Sequence, residues 1–352
     1  MKDRKTTNLL LLILVIPLVL YLLKILSFIF IPLVMSMFIA MLFLPLMRWL
    51  KKKGVPKPLS ILIVVLIILG TLKTGGVLVK LSANEIIESG NAFLDKAETK
   101  IITLVTSAEG FFGVERLEGE NIVTHYIHKE SLFENFGSTL DFIINSLSMT
   151  LMTAFFVILL LSESINFQHI LNNTIFKLKY SSVKTFMKIE KEIIKFVKVK
   201  FVISLLTGIG AGLACLFFDV SFPVFWGLFT FLINFVQMIG SVISVAVLSL
   251  FAFVELDPTG TLLFFILVII AVQVLMGGIL EPVLMGKTFS LNVVTVLIML
   301  MLWGYIWGIP GFIMSIPITV FFKIVFDQFQ RTKVIANIMS APESMWKFRR
   351  KL

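Results

Sequence analysis

The residue best suited to chemistry in this sequence is Glu281, an acid that ends an apolar run and is followed at once by Pro282. A carboxylate near apolar surroundings is costly to keep charged, so such a group can carry a proton or bind a cation. Because proline has no N–H to donate, we expect the helix to break there. Two structural alternatives stay open: Glu281 pairs with Lys287, or it caps backbone N–H groups at the break.

Three amides, Asn234, Gln237 and Gln273, lie within apolar runs. Inside a bilayer their polar atoms must find partners, either on another helix or along a polar pathway. Helix packing and a substrate or ion pathway are therefore both open. With Glu281 and Lys287 these amides form the predicted pathway.

Small residues and prolines predict the places where helices break or pack closely. Gly304 and Gly308 have the spacing that lets two helices approach, and Pro317 frees a backbone carbonyl. Close packing and hinge motion are the two roles to weigh. The predicted positions are Gly208, Gly212, Pro282, Gly286, Gly304, Gly308, Gly311 and Pro317.

A lysine stripe, defined here as Lys184, Lys188, Lys191, Lys195 and Lys198, steps along the chain by four, three, four and three residues. That spacing places the stripe on one helical face, opposite an apolar face. Such a helix is expected to lie on anionic membrane lipid. The alternative is a cationic vestibule for an anionic solute.

The composition requires a membrane. Hydrophobic residues make up 58% and charged residues 15% of the 352 positions, against roughly 45–50% and 25% in soluble domains. The formal charge of +10 is better explained by basic loops that orient spans than by nucleic-acid binding. Metalloprotease, hydrolase and phosphate-binding motifs are absent. We therefore predict no enzyme, catalytic residue, cofactor, metal or nucleic-acid partner.

The elements that position these residues are apolar runs of about 20 residues. They predict an all-α, polytopic membrane protein with about eight transmembrane helices. The runs 223–253 and 293–326 exceed one crossing and predict broken or re-entrant helices. The expected spans are 9–23, 25–47, 59–79, 142–161, 201–218, 223–253, 261–280 and 293–326.

Charge and composition divide the chain into six parts. Lysine and arginine concentrate near both termini, at 48–57 and at 177–200, which predicts that both termini are cytoplasmic in a bacterial cytoplasmic (inner) membrane. The mainly acidic helical insertion is then extracellular. The predicted parts are 1–79 with three spans, 80–141 as the insertion, 142–161 as the fourth span, 162–200 as the lysine-rich helix, 201–330 as the C-terminal membrane bundle and 331–352 as a basic tail.

Three segments resemble one family. They are Pro45-Leu-Met-Arg-Trp-Leu50 before a basic turn, Glu281-Pro-Val-Leu-Met-Gly-Lys287, and the glycine run from Gly304 to Pro317. In this order they look like the autoinducer-2 exporter family of bacterial membrane proteins. Two positions depart from its pattern, because Gln237 and Val293 stand where prolines are common.

The resemblance implies a transporter, since family members have been linked to export of a furanone signal molecule and to sodium/proton exchange. We therefore expect a secondary transporter or exporter of a small solute, a signal molecule or ion, coupled to protons or sodium. A passive oligomeric channel and a non-transporting membrane scaffold are the alternatives. The expected partners are membrane lipids, a small solute or cation and, as an open alternative, further copies of the chain.

Overall fold

The computed structural model describes residues 2–112, 149–162, 180–236, 239–256, 260–285, 291–330 and 332–341. Within these ranges the chain is helical, with one isolated bridge between Leu291 and Ser340. The expectation of an all-α protein is confirmed. The helices are α1 (Lys2–Ile25), α2 (Ser27–Lys52), α3 (Lys57–Phe112), α4 (Met149–Ser162), α5 (Tyr180–Phe217), α6 (Pro223–Ile233), α7 (Ile239–Glu255), α8 (Gly260–Gln273), a π-helix (Val274–Leu280), α9 (Glu281–Met285), α10 (Val293–Gln328) and α11 (Lys333–Met339).

Several of these helices can cross a membrane. Five segments are long and apolar enough: Ser27–Lys52, Lys57–Glu88, Met187–Phe217, Gly260–Met285 and Val293–Gln328. Four shorter apolar helices accompany them: Leu14–Ile25, Met149–Ser162, Pro223–Ile233 and Ile239–Glu255. Many large apolar side chains on these segments are exposed, which is favourable against lipid and costly against water. The protein is thus polytopic, and the number of about eight crossings stays a prediction.

The third helix extends well beyond the bilayer. α3 has 56 residues, or about 84 Å at 1.5 Å per residue, whereas a hydrocarbon core is about 30 Å thick. The predicted span 59–79 and the start of the predicted insertion 80–141 therefore form one continuous helix. Residues 113–148, with the rest of that insertion, lie outside the described residues.

The predicted break within 223–253 is present and produces a helical hairpin, here called hairpin A (α6 and α7). The Thr230 and Ser244 hydroxyl oxygens lie 3.0 Å apart, and the Trp226 and Phe251 rings are 4.9 Å apart. The two helices are therefore antiparallel, with a tip that begins at Asn234. Gly240 is required at this tip, because a Cβ there would collide with the Ile233 carbonyl.

The long helix α10 is also broken, as predicted for 293–326, and we call it hairpin B. Its break is at Gly308, with φ 62° and ψ −137°, a conformation that favours glycine. A Cβ on Gly304 would lie 2.6 Å from the Phe312 ring, although those residues would be about 12 Å apart along a straight helix. The two arms of α10 therefore fold back on each other.

The two hairpins enter the bundle from opposite ends. Hairpin A opens beside the end of α5, where Glu255 bonds Ser221, and we call this the Glu255 end. The tip of hairpin B lies beside the α1–α2 turn, since Trp307 Nε1 donates to the Leu23 carbonyl at 3.0 Å. Hairpin B must then open at the other end of α2, where Arg48 pairs with Glu190 of α5. We call this the basic end.

Candidate functional site

A buried ion pair joins α5 to the start of α9. The Lys200 ammonium of α5 donates to both carboxylate oxygens of Glu281, each at 3.1 Å. The two side chains are 2% and 4% exposed. Two full charges withdrawn from water cost several kcal/mol each, and their attraction offsets this only with good geometry and full hydrogen bonding. Burial of the two charges is therefore costly, and the pair serves either the structure or the function of the protein.

The partner of Glu281 differs from the one that local sequence suggests. Lys287 lies outside the described residues, as do Gly286 and Gln237, while Lys200 sits 81 positions before Glu281 in the chain. Lys200 belongs to the inward face of α5, together with the buried Phe196, Ile203 and Thr207. The spacing of these residues at three and four is the signal by which a lysine on an inward face could have been found.

Irregular backbone precedes Glu281 and corrects the predicted position of the helix break. The seven residues Val274–Leu280 form a π-helix, and Glu281 and Pro282 then begin α9. Proline removes the hydrogen bond that its residue would make to the preceding turn, so the helix widens before Pro282 and does not end at it. The Lys195 ammonium bonds the Met285 carbonyl at 3.2 Å, which holds the end of α9 against α5.

The tip of hairpin A lies about one turn of α5 from the ion pair. Asn234 is buried, and its Nδ2 donates to Ser204 Oγ at 3.1 Å. Ser204 is one helical turn from Lys200. The predicted amide thus contacts a hydroxyl on α5 and fixes the hairpin tip beside the charged pair.

A second amide connects hairpin A to α8. Gln273 is buried, and its Nε2 donates to Ser244 Oγ at 3.2 Å, the hydroxyl that also meets Thr230. The Gln273 Oε1 atom has no hydrogen-bond partner within the described part of the chain. Buried polar groups are normally satisfied, so this oxygen marks a position where a polar ligand or water would be stabilised.

Glycines set how closely hairpin A approaches α5. A Cβ on Gly208 would lie 2.6 Å from the Gly227 carbonyl oxygen, and one on Gly212 would lie 3.1 Å from the Pro223 carbonyl oxygen. The absence of side chains at these positions therefore lets the two backbones meet. This geometry favours the close-packing role of Gly208 and Gly212.

Hairpin B uses the other predicted glycines within itself. Gly311 is packed against the Trp303 carbonyl, and Gly304 accommodates the Phe312 ring. Pro317 is buried on the returning arm. These residues thus shape the turn at Gly308.

The lysine stripe is found on α5 at the basic end. Lys188, Lys191, Lys195 and Lys198 are exposed, and Lys184 lies on the same helix. Lys200, two residues after Lys198, points to the opposite side because two helical residues turn by about 200°. The stripe and the buried pair therefore belong to different faces of α5.

A second charged cluster holds the Glu255 end together, and we call it the clasp (Glu85, Lys96, Ser221 and Glu255). Glu255 accepts from the Ser221 N–H at 2.6 Å and from its hydroxyl at 2.8 Å, and the Lys96 ammonium lies 3.7 Å away. Glu85 accepts from the Phe222 N–H at 3.2 Å. The clasp attaches α3 to the open end of hairpin A.

Among the described residues no group of three or more acidic, histidine or cysteine side chains is placed to hold a metal ion. Within the described ranges, the groups brought together here are the Lys200 ammonium, the Glu281 carboxylate and neutral amides and hydroxyls. Such groups bind protons, ions and polar solutes.

The chain is similar to proteins that are named for transport. A family model described as AI-2E family transporter matches residues 10–331. A provisionally named transport protein of Haemophilus influenzae is 26% identical over 91% of this chain and 92% of its own length. The AI-2 transport protein TqsA of Escherichia coli is 25% identical over 89% of each chain. A provisionally named transport protein of Borreliella burgdorferi is 30% identical over 44% of this chain and 43% of its own. The chain belongs to the AI-2E transporter family.

Proposed function

We propose that this protein is a secondary transporter that moves a small solute across the cytoplasmic membrane, and that opening of the Lys200–Glu281 pair couples transport to a proton or cation gradient. The observation that carries the proposal is the burial of both charges within apolar membrane helices. Ionisable groups within membrane-spanning helices are rare and typically belong to ion or proton pathways.

The pair can switch between two states. In the closed state each charge satisfies the other, and the neutral pair tolerates a low dielectric. A proton or cation that binds the carboxylate weakens its hold on the ammonium. The freed groups then face the bundle interior, where a solute can take the place of the lost partner.

The surrounding backbone can follow such a switch. The π-helix contains Gly277 and Gly278, where an added Cβ would make only ordinary van der Waals contacts, and π segments inside helices often occur at functional sites. Hairpin A ends beside the pair through the Asn234–Ser204 contact. Broken helices with a site at the break are the usual construction of secondary transporters.

The coupling is tested by flux into liposomes with and without a pH or sodium gradient. Because a full-length relative is named an AI-2 transport protein, AI-2 is one candidate solute. Glu281→Gln keeps size and hydrogen bonding but removes the ionisable group, so gradient-driven flux should collapse. The exposed Glu88 provides the matched control, and Glu88→Gln should transport normally.

Each other outcome identifies an alternative. Flux that ignores every gradient in the wild-type protein indicates a passive channel. The absence of flux with all solutes indicates a scaffold. Full gradient-driven flux in a well-folded Glu281→Gln variant rules out the coupling role.

The orientation has its own test. With the basic end in the cytoplasm, a cysteine at exposed Glu88 in a Cys215→Ala background should react with an impermeant thiol reagent on intact cells. A cysteine at exposed Lys191 should not. The reverse pattern would invert the topology. Replacement of the lysine stripe by glutamine should weaken binding to anionic lipid without preventing insertion.

A further inference from the structure

We propose that the solute carried at the Lys200–Glu281 site is a small monoanion, which replaces the Glu281 carboxylate on the Lys200 ammonium when Glu281 is protonated. The inference rests on the proposed function and specifies its substrate class. The proton adds to a carboxylate oxygen of Glu281, and the two N–H contacts of Lys200 pass from that carboxylate to the anion. No covalent bond to the solute forms or breaks.

Charge balance in the bundle supports a proton and an anion together. The closed pair is neutral, since it contains one ammonium and one carboxylate at 3.1 Å. Protonation of Glu281 alone would leave a buried, uncompensated ammonium, which is strongly unfavourable. A monoanion on Lys200 restores neutrality. The loaded site then contains an ammonium, an anion and a neutral acid, and carries no net charge.

A metal cation suits the same site less well. If it bound Glu281 while Lys200 stayed protonated, two positive charges would share one carboxylate in a low dielectric. Neutrality would then require Lys200 to lose its proton as the cation enters. That exchange of a cation for a proton is the competing outcome of the experiment below.

The charged side chains on the packed elements also favour anions. On α5, Lys195 bonds the Met285 carbonyl at the far end of α9. The acids of α5 are Glu190, which pairs with Arg48, and Glu192. On α10, Lys323 is buried and Asp327 follows one turn later. The segment from Gly260 to Leu280 carries no charged residue. The exposed lysines 188, 191, 195 and 198 make the approach along α5 positive.

The positive electrostatic potential of these exposed lysines concentrates anions near the basic end and repels cations. The lysine stripe ends at Lys198, close to the level of Lys200 along the same helix. Along the helix axis Lys200 lies within about one turn of the stripe but on the opposite face of α5, so the stripe raises the local concentration of anions at this end without itself contacting the buried site. The same distribution of charge makes entry by a free cation unfavourable.

The test uses the full-length protein in liposomes and three radiolabelled monoanions of increasing size: chloride, lactate and gluconate. Net uptake is driven by an inward proton gradient at zero membrane potential and again with an imposed potential. Anion self-exchange, with the same anion on both sides and no gradient, is measured separately. The wild-type protein should take up at least one anion with its proton, and an imposed potential should leave that uptake unchanged.

The variants separate the two partners. Glu281→Gln resembles the protonated acid, so it should lose proton-driven net uptake by about tenfold or more, one 1.4 kcal/mol step, yet retain self-exchange at every pH. It should also be stabilised against heat by the transported anion. Lys200→Gln should lose both activities. The double variant Lys200→Gln with Glu281→Gln is neutral and serves as the folding control.

Different results would contradict the anion inference and the proposed secondary transport. If AI-2 or sodium moves in a gradient-dependent manner and none of the three anions does, the anion inference is wrong and secondary transport stands. If anion uptake responds to membrane potential, or if Glu281→Gln and Lys200→Gln lose self-exchange equally, the proton–anion scheme is overturned. If nothing moves under any gradient, the proposed function itself fails.

Discussion

Two acids in this protein are buried to the same degree but are satisfied in different ways. Glu281 is 4% exposed and bonds Lys200, which is 2% exposed. Glu255 in the clasp is 3% exposed, while its lysine partner, Lys96, is 58% exposed. Glu255 also receives the backbone N–H and the hydroxyl of Ser221.

This difference in hydrogen bonding indicates which of the two carboxylates needs its lysine partner to stay stable. Dipoles from Ser221 stabilise the Glu255 carboxylate directly, so water or any cation can take the place of Lys96. The Glu281 carboxylate has a full charge as its partner, and Lys200 is too deeply buried for water to replace it easily. The clasp therefore behaves as a structural attachment, whereas the buried pair has the properties of a switch.

The largest effect is expected from Lys200→Gln. The substitution leaves a buried carboxylate without its counter-charge, which should destabilise the protein by about 3–5 kcal/mol. Thermal unfolding in lipid nanodiscs, followed by tryptophan fluorescence, measures the loss. Glu281→Gln in the same chain should restore most of it, because the two changes are strongly non-additive in contacting pairs. Additive losses would show that the two charges are not coupled.

Parts of this arrangement could be predicted from sequence alone. Glycines, prolines and amides within over-long apolar runs correctly predicted the breaks in hairpins A and B. Glu281 could be singled out because it ends an apolar run and precedes a proline, and the structure buries it, while its role stays a prediction. These are local signals, visible within a few residues of each position.

The pairing of Glu281 with Lys200 could not be predicted in this way. The two residues are 81 positions apart, and their contact depends on how α5 and α9 pack. Lys200 also follows a run of exposed lysines, so it is easily assigned to the same surface. The continuity of α3 was missed for a related reason, since Lys73, Gly75, Gly76 and Lys80 resemble the end of a span although the helix passes through them.

A smaller effect is expected from Glu255→Gln. The amide oxygen can still accept from the Ser221 N–H, and the amide NH2 can donate to the Ser221 hydroxyl. The loss of charge-assisted bonds should still cost about 1–3 kcal/mol. Thermal unfolding measures this, with Glu88→Gln as the exposed control. Because the clasp joins α3 to hairpin A, proteolysis within α3 should also become faster, and unchanged cleavage would argue against the attachment.

The packing of hairpin A against α5 gives the third prediction. Gly208→Ala places a Cβ 2.6 Å from the Gly227 carbonyl oxygen, so the hairpin must shift away from α5 at an expected cost of about 1–2 kcal/mol. Gly70→Ala is the matched control, since it lies in α3 with open space around it and should be neutral or slightly stabilising. If the hairpin tip positions the ion pair, Gly208→Ala should also lower the rate of gradient-driven flux into liposomes, by more than the loss of folded protein accounts for.

The smallest effect is expected from Lys96→Gln, and it is the most direct test of the contrast between the two acids. Lys96 lies 3.7 Å from Glu255 and is mostly exposed, so the pair is screened by water and should contribute about 0–1 kcal/mol. Raising the salt concentration should remove even that contribution in the wild-type protein, because exposed charges are screened within about a Debye length. The Lys200–Glu281 pair, whose side chains are almost fully buried, should be much less sensitive to the same salt. Thermal unfolding of wild type, Lys96→Gln and Lys200→Gln across a salt series measures both at once. A large loss for Lys96→Gln would mean that Glu255, like Glu281, depends on its lysine, and the distinction between attachment and switch would then no longer hold.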